Sequence, residues 1–269
     1  ELAEGEESIV FRGELESQRI KAAWRATEPD GTTHFRGSSS EGPVRVTLAY
    51  MAHGRRDTVT IEALKGDYYP TEQRARFEGG VHVTTGLGVD LRTDALAFRG
   101  DEGIAESKDV VSFQRKQMSG SARGVSLAFR EGRLDLTSEV RIKVEDPLRG
   151  ALEVTAARGQ FVKEGGQLEL EGGVTVLQRE TELRAERLVG TIALPGYDLT
   201  QLIASGQVVL RSSGADAGGL VGPRTSSGAY TLRSPRLDMP IGDPTSKKEM
   251  RAGPGGIEFV WGGTRGRQG

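Results

Sequence analysis

The chain has no cysteine and no asparagine, and only 6% of its 269 residues are aromatic. Without cysteine there is no disulfide framework, no thiolate metal site and no cysteine nucleophile. An oxidising compartment stays open, because an apolar core alone can hold a domain of this length. No run approaches the roughly 18 consecutive apolar residues of a membrane-spanning helix. An excess of one charge is also missing. The 36 basic and 38 acidic residues leave a formal charge of −2, which provides no overall drive towards nucleic acid or acidic membranes. Nucleic acid is therefore not an expected partner. The chain starts at Glu1, which reads as the product of a removed signal peptide or N-terminal anchor, or else as an internal fragment.

Glycine, in contrast, is abundant at 38 residues, and part of it is ordered into an echo. Phe77 to Val83 reads Phe-Glu-Gly-Gly-Val-His-Val, and Leu170 to Val176 reads Leu-Glu-Gly-Gly-Val-Thr-Val. Five of the seven positions are identical, and both differences keep the alternation of apolar and polar residues. Looser copies run from Leu134 to Ile142 and from Leu202 to Leu210. Taking the valine after each small or polar pair as a marker gives Val81, Val110, Val140, Val174 and Val208, at steps of 29, 30, 34 and 34 residues. A near-regular step of this kind predicts an array of similar supersecondary units.

Each unit reads as two strands. Val44, Val46, Leu48 and Tyr50 share one parity, as do Leu134, Leu136, Val140, Ile142 and Val144, and also Leu202, Ala204, Val208 and Leu210. Since strand side chains alternate between faces, each set points one way and its polar neighbours point the other. Between these strands lie shorter segments such as Leu91-Arg-Thr-Asp-Ala-Leu and Leu183-Arg-Ala-Glu-Arg-Leu. About six residues is short for a helix and usual for a strand. Turn signals fall where two strands per unit need them, at Gly100 to Gly103, Glu131-Gly132 and Glu164 to Gly166. Gly214 to Gly228, rich in Gly and Ser, reads as a flexible insertion.

Nothing converges on catalysis. His34, His53 and His82 lie on separate segments without metal-ligand spacing and read as surface residues. Gly86-Leu-Gly88 lacks the strand-to-helix context of a nucleotide loop and reads as a turn. Glu169, Glu171, Asp135 and Glu139 alternate with apolar residues, which sets them on the solvated face. Arg76, Arg92, Arg141 and Arg184 suit phosphate geometry, although an ordinary solvated face is the favoured account of them. The expectation is a non-enzymatic protein with no catalytic residues, no metal and no cofactor.

The alternation of Leu-x-Ala-Asp/Glu-x-Leu strands with Leu-x-Leu-x-Gly-x-Val-x-Val strands resembles the periplasmic lipopolysaccharide-transport bridge family, which includes an anchored (LptC-like) member, a soluble (LptA-like) member and the OstA-like group. The match is clearest from Leu168 to Leu210. Phe77 to Val144 looks more like the anchored member. The resemblance implies an all-β fold, an open antiparallel β-jellyroll of repeated two-strand units whose interior carries lipid acyl chains. On that reading residues 1–262 form one continuous jellyroll, LptC-like over about 1–146 and LptA/OstA-like over 147–262, with the insertion at 214–228 and a disordered tail at 263–269. The groove would be lined by Val81, Val83, Leu127, Leu134, Leu136, Val140, Ile142, Leu168, Leu170, Val174, Val176, Leu183, Val208 and Leu210. Implied partners are lipopolysaccharide, the inner-membrane lipopolysaccharide ABC exporter and other jellyroll bridge proteins. The last would dock by edge-strand pairing at Ile9, Phe11, Ile257 and Phe259. The implied location is the periplasm, with an inner-membrane anchor outside this sequence.

A filled sandwich core with no guest, a β-solenoid scaffold or surface adhesin, and a carbohydrate-active enzyme on a β scaffold remain as alternatives on the residues alone. The physics permits the lipid reading. At ~0.8 kcal/mol per buried CH₂, an acyl chain of about twelve carbons gains roughly 10 kcal/mol on entering an apolar slot.

Overall fold

The computed structural model describes residues 15–52, 55–86, 88–128, 131–145, 150–162, 164–193, 198–213, 229–240, 251–252, 257–261 and 264–268. Among them there is no helix, and every strand pairing is antiparallel. This is the all-β fold that the two-strand units predict, and it is consistent with the antiparallel jellyroll that the resemblance implies. A parallel solenoid is excluded over these residues. The chain divides into two compact units, Glu1–Leu134 and Asp135–Gly269.

The first unit contains β1 (Leu15–Lys21), β2 (Trp24–Thr27), β3 (Thr33–Arg36), β4 (Val44–Ala52), β5 (Arg55–Ala63), β6 (Lys65–Tyr69), β7 (Arg74–Thr85), β8 (Asp90–Arg99), β9 (Ile104–Arg115) and β10 (Met118–Ala128). Strand β7 is the pivot. Its first half, Arg74 to Glu78, pairs with β6, and its second half, His82 to Thr85, pairs with β5. One half-sheet therefore runs β2-β3-β6-β7 and the other β1-β4-β5-β7. The long strands β8, β9 and β10 continue both halves. The halves meet through their apolar faces. A Cβ placed on Gly66 of β6 would lie 3.3 Å from the Phe77 ring and 3.5 Å from a methyl of Val44 on β4.

The Gly-Gly of the echo is the crease. Gly79 and Gly80 have φ of 84° and 69°, the left-handed region that glycine enters without steric cost. There β7 spends three residues against two of β8, so that Glu78 faces Ala95 and Val81 faces Thr93. This is a β-bulge, which bends the strand and raises its local twist. The marker valines that follow such residues, Val81, Val140, Val174 and Val208, are each 1% exposed. Val110 is the exception at 54%, while Val111 is fully buried. No left-handed residue precedes it. The inward parity of Ala105 and Ser107 therefore runs on to Val111, and the marker at 110 is one residue out of phase.

The second unit holds β12 (Leu152–Ala156), β13 (Arg158–Val162), β14 (Gln167–Gln178), β15 (Thr181–Ala193), β16 (Asp198–Ser212), β17 (Tyr230–Pro240), β18 (Arg251–Ala252), β19 (Ile257–Trp261) and β20 (Thr264–Gln268), and β11 (Arg133–Val144) lies almost wholly within it. Here the motif of the first unit recurs. The first half of β14 pairs with β13 and its second half with β12, with a bulge between Glu171 and Val174. Residues 62–83 and 155–176 superpose in sequence without a gap, and the same bend appears in both. The Leu64 amide donates to the Gly79 carbonyl at 3.3 Å, and the Ala157 amide to that of Gly172 at 3.3 Å. Lys65 faces Glu78, as Arg158 faces Glu171.

Two expectations at the chain's ends change. Residues 264–268, inside the expected disordered tail, form β20, which pairs with all of β19. Backbone pairing needs no side-chain alternation, so the polar Thr-Arg-Gly-Arg-Gln run can add to an apolar neighbour. Ile257 and Phe259 are therefore not on a free edge: β19 is paired with β17 on one side and β20 on the other. Ile9 and Phe11, the segment 214–228, and His53 lie outside the described residues.

Candidate functional site

Cross-strand register builds the interior of each unit as rows. In the second unit one row runs Ile142, Val154, Val176, Leu183, Leu210 and Leu232 across β11, β12, β14, β15, β16 and β17. All six are buried, from 7% exposed at Val154 to none at Leu232. A second row runs Gly159, Leu170, Leu188, Ala204 and Leu237. In the first unit the matching row is Ile20, Val46, Ile61, Val83 and Leu91, and its neighbour is Phe35, Gly66, Phe77 and Leu96. Gly66 has no side chain to separate the two phenyl rings that flank it.

The structure buries Val81, Val83, Leu136, Val140, Ile142, Leu170, Val174, Val176, Leu183, Val208 and Leu210, and leaves Leu127, Leu134 and Leu168 half-buried. Register brings Ile142, Val176, Leu183 and Leu210 into a single row. Val81, Val83 and Leu127 belong to the first unit and share no row with them. Sequence reasoning omitted Val154, Leu188, Leu202, Leu232 and Leu237, all buried. Their parity within strands that were already recognised was the available signal. It also omitted the rings Phe35, Phe77 and Phe98 (4–5% exposed), although Phe77 opens the echo itself.

The interior of the first unit is nearly filled. The cavity between its half-sheets, lined by residues that include Ile20, Phe35, Leu48, Ile61, Phe77 and Phe98, has a volume of about 10 Å³, the space of one water molecule. That cavity is too small for an acyl chain.

The outer faces are charged and locally neutralised. Arg76 pairs with Glu78 at 2.7 Å, Arg92 with Asp90 at 3.3 Å and Arg184 with Glu182 at 2.6 Å, each two residues away on its own strand. Arg141 is exposed as well. The solvated-face reading of these arginines thus accounts for their positions. Arg187 bonds Glu169 and holds its carboxyl below the usual range.

His34 and His82 are half-buried and bonded rather than free on the surface. His34 Nδ1 lies 2.8 Å from Asp67 and Nε2 lies 3.1 Å from Glu28, which raises its pKa. Burial pushes the Asp67 carboxyl up, but hydrogen bonds from His34 and Arg36 outweigh it and hold the group below the ordinary value. His82 Nε2 lies 2.7 Å from Asp90, which lowers that carboxyl's pKa. Among the described residues no group of three or more His, Asp or Glu is arranged to hold a metal ion, and no helix is long and apolar enough to cross a membrane.

Comparison with curated proteins finds no match. Residues 44–145 match the family model described as LptC: Lipopolysaccharide-assembly, LptC-related. The match takes in β4 to β10 and β11, the strands that carry the first bulge and the inner row from Val46 to Leu91. Over residues 44–145 the chain is thus similar to the LptC-related lipopolysaccharide-assembly family.

Proposed function

We propose that this chain is a periplasmic bridge component of lipopolysaccharide transport that holds lipid A acyl chains against its inner rows. It would pass them from the inner-membrane ABC exporter towards the outer membrane. The carrying observation is the unbroken aliphatic row from Ile142 to Leu232, which six strands contribute in register. Equivalent neighbouring rows offer a lipid successive sites of similar affinity, so net movement needs only an external push. Because the cavity of the first unit is small, that unit would have to open to admit a lipid, and its own side-chain contacts would compete with the cargo.

Handover to other jellyroll proteins would use backbone edges. Strand β20 pairs on one side with β19, and its other side suits strand addition. Head-to-tail addition of this kind is heterologous and extends into an open filament. An inner-membrane tether outside this sequence accords with the resemblance to the anchored member.

Photo-crosslinkers test the reading. Inward positions Val140, Val174 and Val208 are expected to capture lipopolysaccharide in cells, and outward Arg141 is not. Capture from Arg141 alone would reject an interior route. No capture at any position would favour the packed-scaffold reading, which the 10 Å³ cavity of the first unit supports.

A further inference from the structure

One row of the second unit's inner face is polar. Register continues from Leu152 through Gln178, Thr181 and Ser212 to Tyr230, one step beyond the row that contains Val176, Leu183, Leu210 and Leu232. These four polar residues are 4–7% exposed, and they point to the same side as the aliphatic row because they stand two residues from it on each strand. Tyr230 shares a hydrogen bond with Ser212. The Gln178 amide is oriented by its Nε2, which donates to the Gly150 carbonyl at 3.3 Å. Its Oε1 is buried and accepts no hydrogen bond. An amide oxygen left this way forgoes a hydrogen bond that water would have given it, so an unsatisfied acceptor calls for an explanation.

The first unit does not repeat this feature. At the positions equivalent to Gln178 and Thr181 it has Thr85 and Val89. The Thr85 hydroxyl accepts from the Val89 amide at 3.2 Å, which commits it to the turn.

We propose that the Gln178–Thr181–Ser212–Tyr230 row is a polar anchor for the head end of a bound acyl chain. In it Gln178 Oε1 accepts from a hydroxyl or amide N–H near the chain's carbonyl, while the methylenes lie along the aliphatic rows. This rests on the acyl-binding reading above and adds to it a selectivity for chains bearing a donor. Aliphatic rows alone distinguish chains only by length, whereas a buried acceptor discriminates against an analogue that lacks the matching donor.

The test compares two probes that differ by one hydroxyl, 3-hydroxytetradecanoate and tetradecanoate, by displacement of a fluorescent fatty acid from the full chain. The hydroxylated probe is expected to bind on the order of tenfold more tightly. Gln178→Met should bring that ratio to about one. Thr181→Val should reduce it in the same direction, and it decides the matter if the Met variant does not fold. Equal binding of both probes to the wild type, or a ratio preserved in the folded variants, overturns the anchor and leaves the acyl-binding reading standing. Such a result would make the row a hydrated structural seam. Binding of neither probe overturns the acyl-binding reading itself.

Discussion

Equivalent positions in the two units fill the same backbone motif differently. In the first unit Gly66 faces Phe77 and Ala75 faces Phe98. In the second, Gly159 faces Leu170 and Leu168 faces Gly190. Both pairs set a small residue against a large one, but the first unit uses rings where the second uses leucines. The space over Gly190 is taken by Leu199 and Leu202, whose methyl carbons lie 3.1 and 3.4 Å from a Cβ built there. A bent, bulged strand pair therefore sets the volume between the faces without dictating what fills it. Rings fill that volume with few rotamers, whereas several leucines fill it with many, so on the proposed acyl-binding function the second unit is the one whose interior a guest would displace more easily.

The largest expected effects test that contrast directly. Phe77→Ala should cost about 3–5 kcal/mol, and Leu170→Ala about 2–4, measured by urea unfolding. A larger loss at Leu170 would break the comparison. Phe77→Leu, which writes the second unit's residue into the first, should cost less than either.

Next come the creases. A Cβ on Gly172 would lie 2.5 Å from that of Ala157, whereas at Gly173 it would meet nothing within 4 Å. Both have left-handed φ, of 82° and 77°. Gly173→Ala should therefore cost only the backbone strain, about 1–2 kcal/mol, and Gly172→Ala clearly more. Equal losses would mean that the close approach at Ala157 relaxes freely.

Carboxylates with lowered pKa occur in both units (Asp67 and Asp90, Glu169), so pH separates the units only at the histidine limb. All three histidines lie in the first unit and none in the second. The raised pKa of His34 means that its stabilisation is fully present below the ordinary histidine value. It is lost as pH rises through the higher folded value. Glu169 of the second unit has a lowered pKa, so its contribution is present above the ordinary carboxylate value and is lost as pH falls. His34→Gln should flatten the dependence of the melting temperature between about pH 6 and pH 8 and also weaken the part of the acid limb that Asp67 contributes, since His34 helps hold that carboxyl's pKa down. The smallest effects are expected at equivalent outer ion pairs. Arg92→Ala and Arg184→Ala should each shift stability by less than about 1 kcal/mol in a melting series.

Much of the interior was legible because a strand's two-residue period ties burial to parity. Val174 and Val176, or Leu183 and Leu210, need no tertiary knowledge to be set on one face. The crease was not legible as a crease. Glu-Gly-Gly-Val keeps its alternation on paper, and nothing in the letters says that two consecutive residues are left-handed. The same conformation occurs without glycine at Glu139, where composition carries no signal, and at Gln207 beside the left-handed Gly206. The longer correspondence of 62–83 with 155–176 was hidden because outside the glycine motif it preserves type more than identity, as in Lys65 with Arg158 and Tyr68 with Phe161.

What the amino-acid order determined alone is local: which segments are strands, where they turn, and which side chains share a face, since all three follow from propensity and a period of two. Only the tertiary structure decided that one strand serves two half-sheets, that β20 covers β19, and that Gln178 is buried with an acceptor to spare. Those outcomes depend on which distant backbone supplies the partner. Pairing register is chosen by the fit of whole faces, and no single segment contains that information.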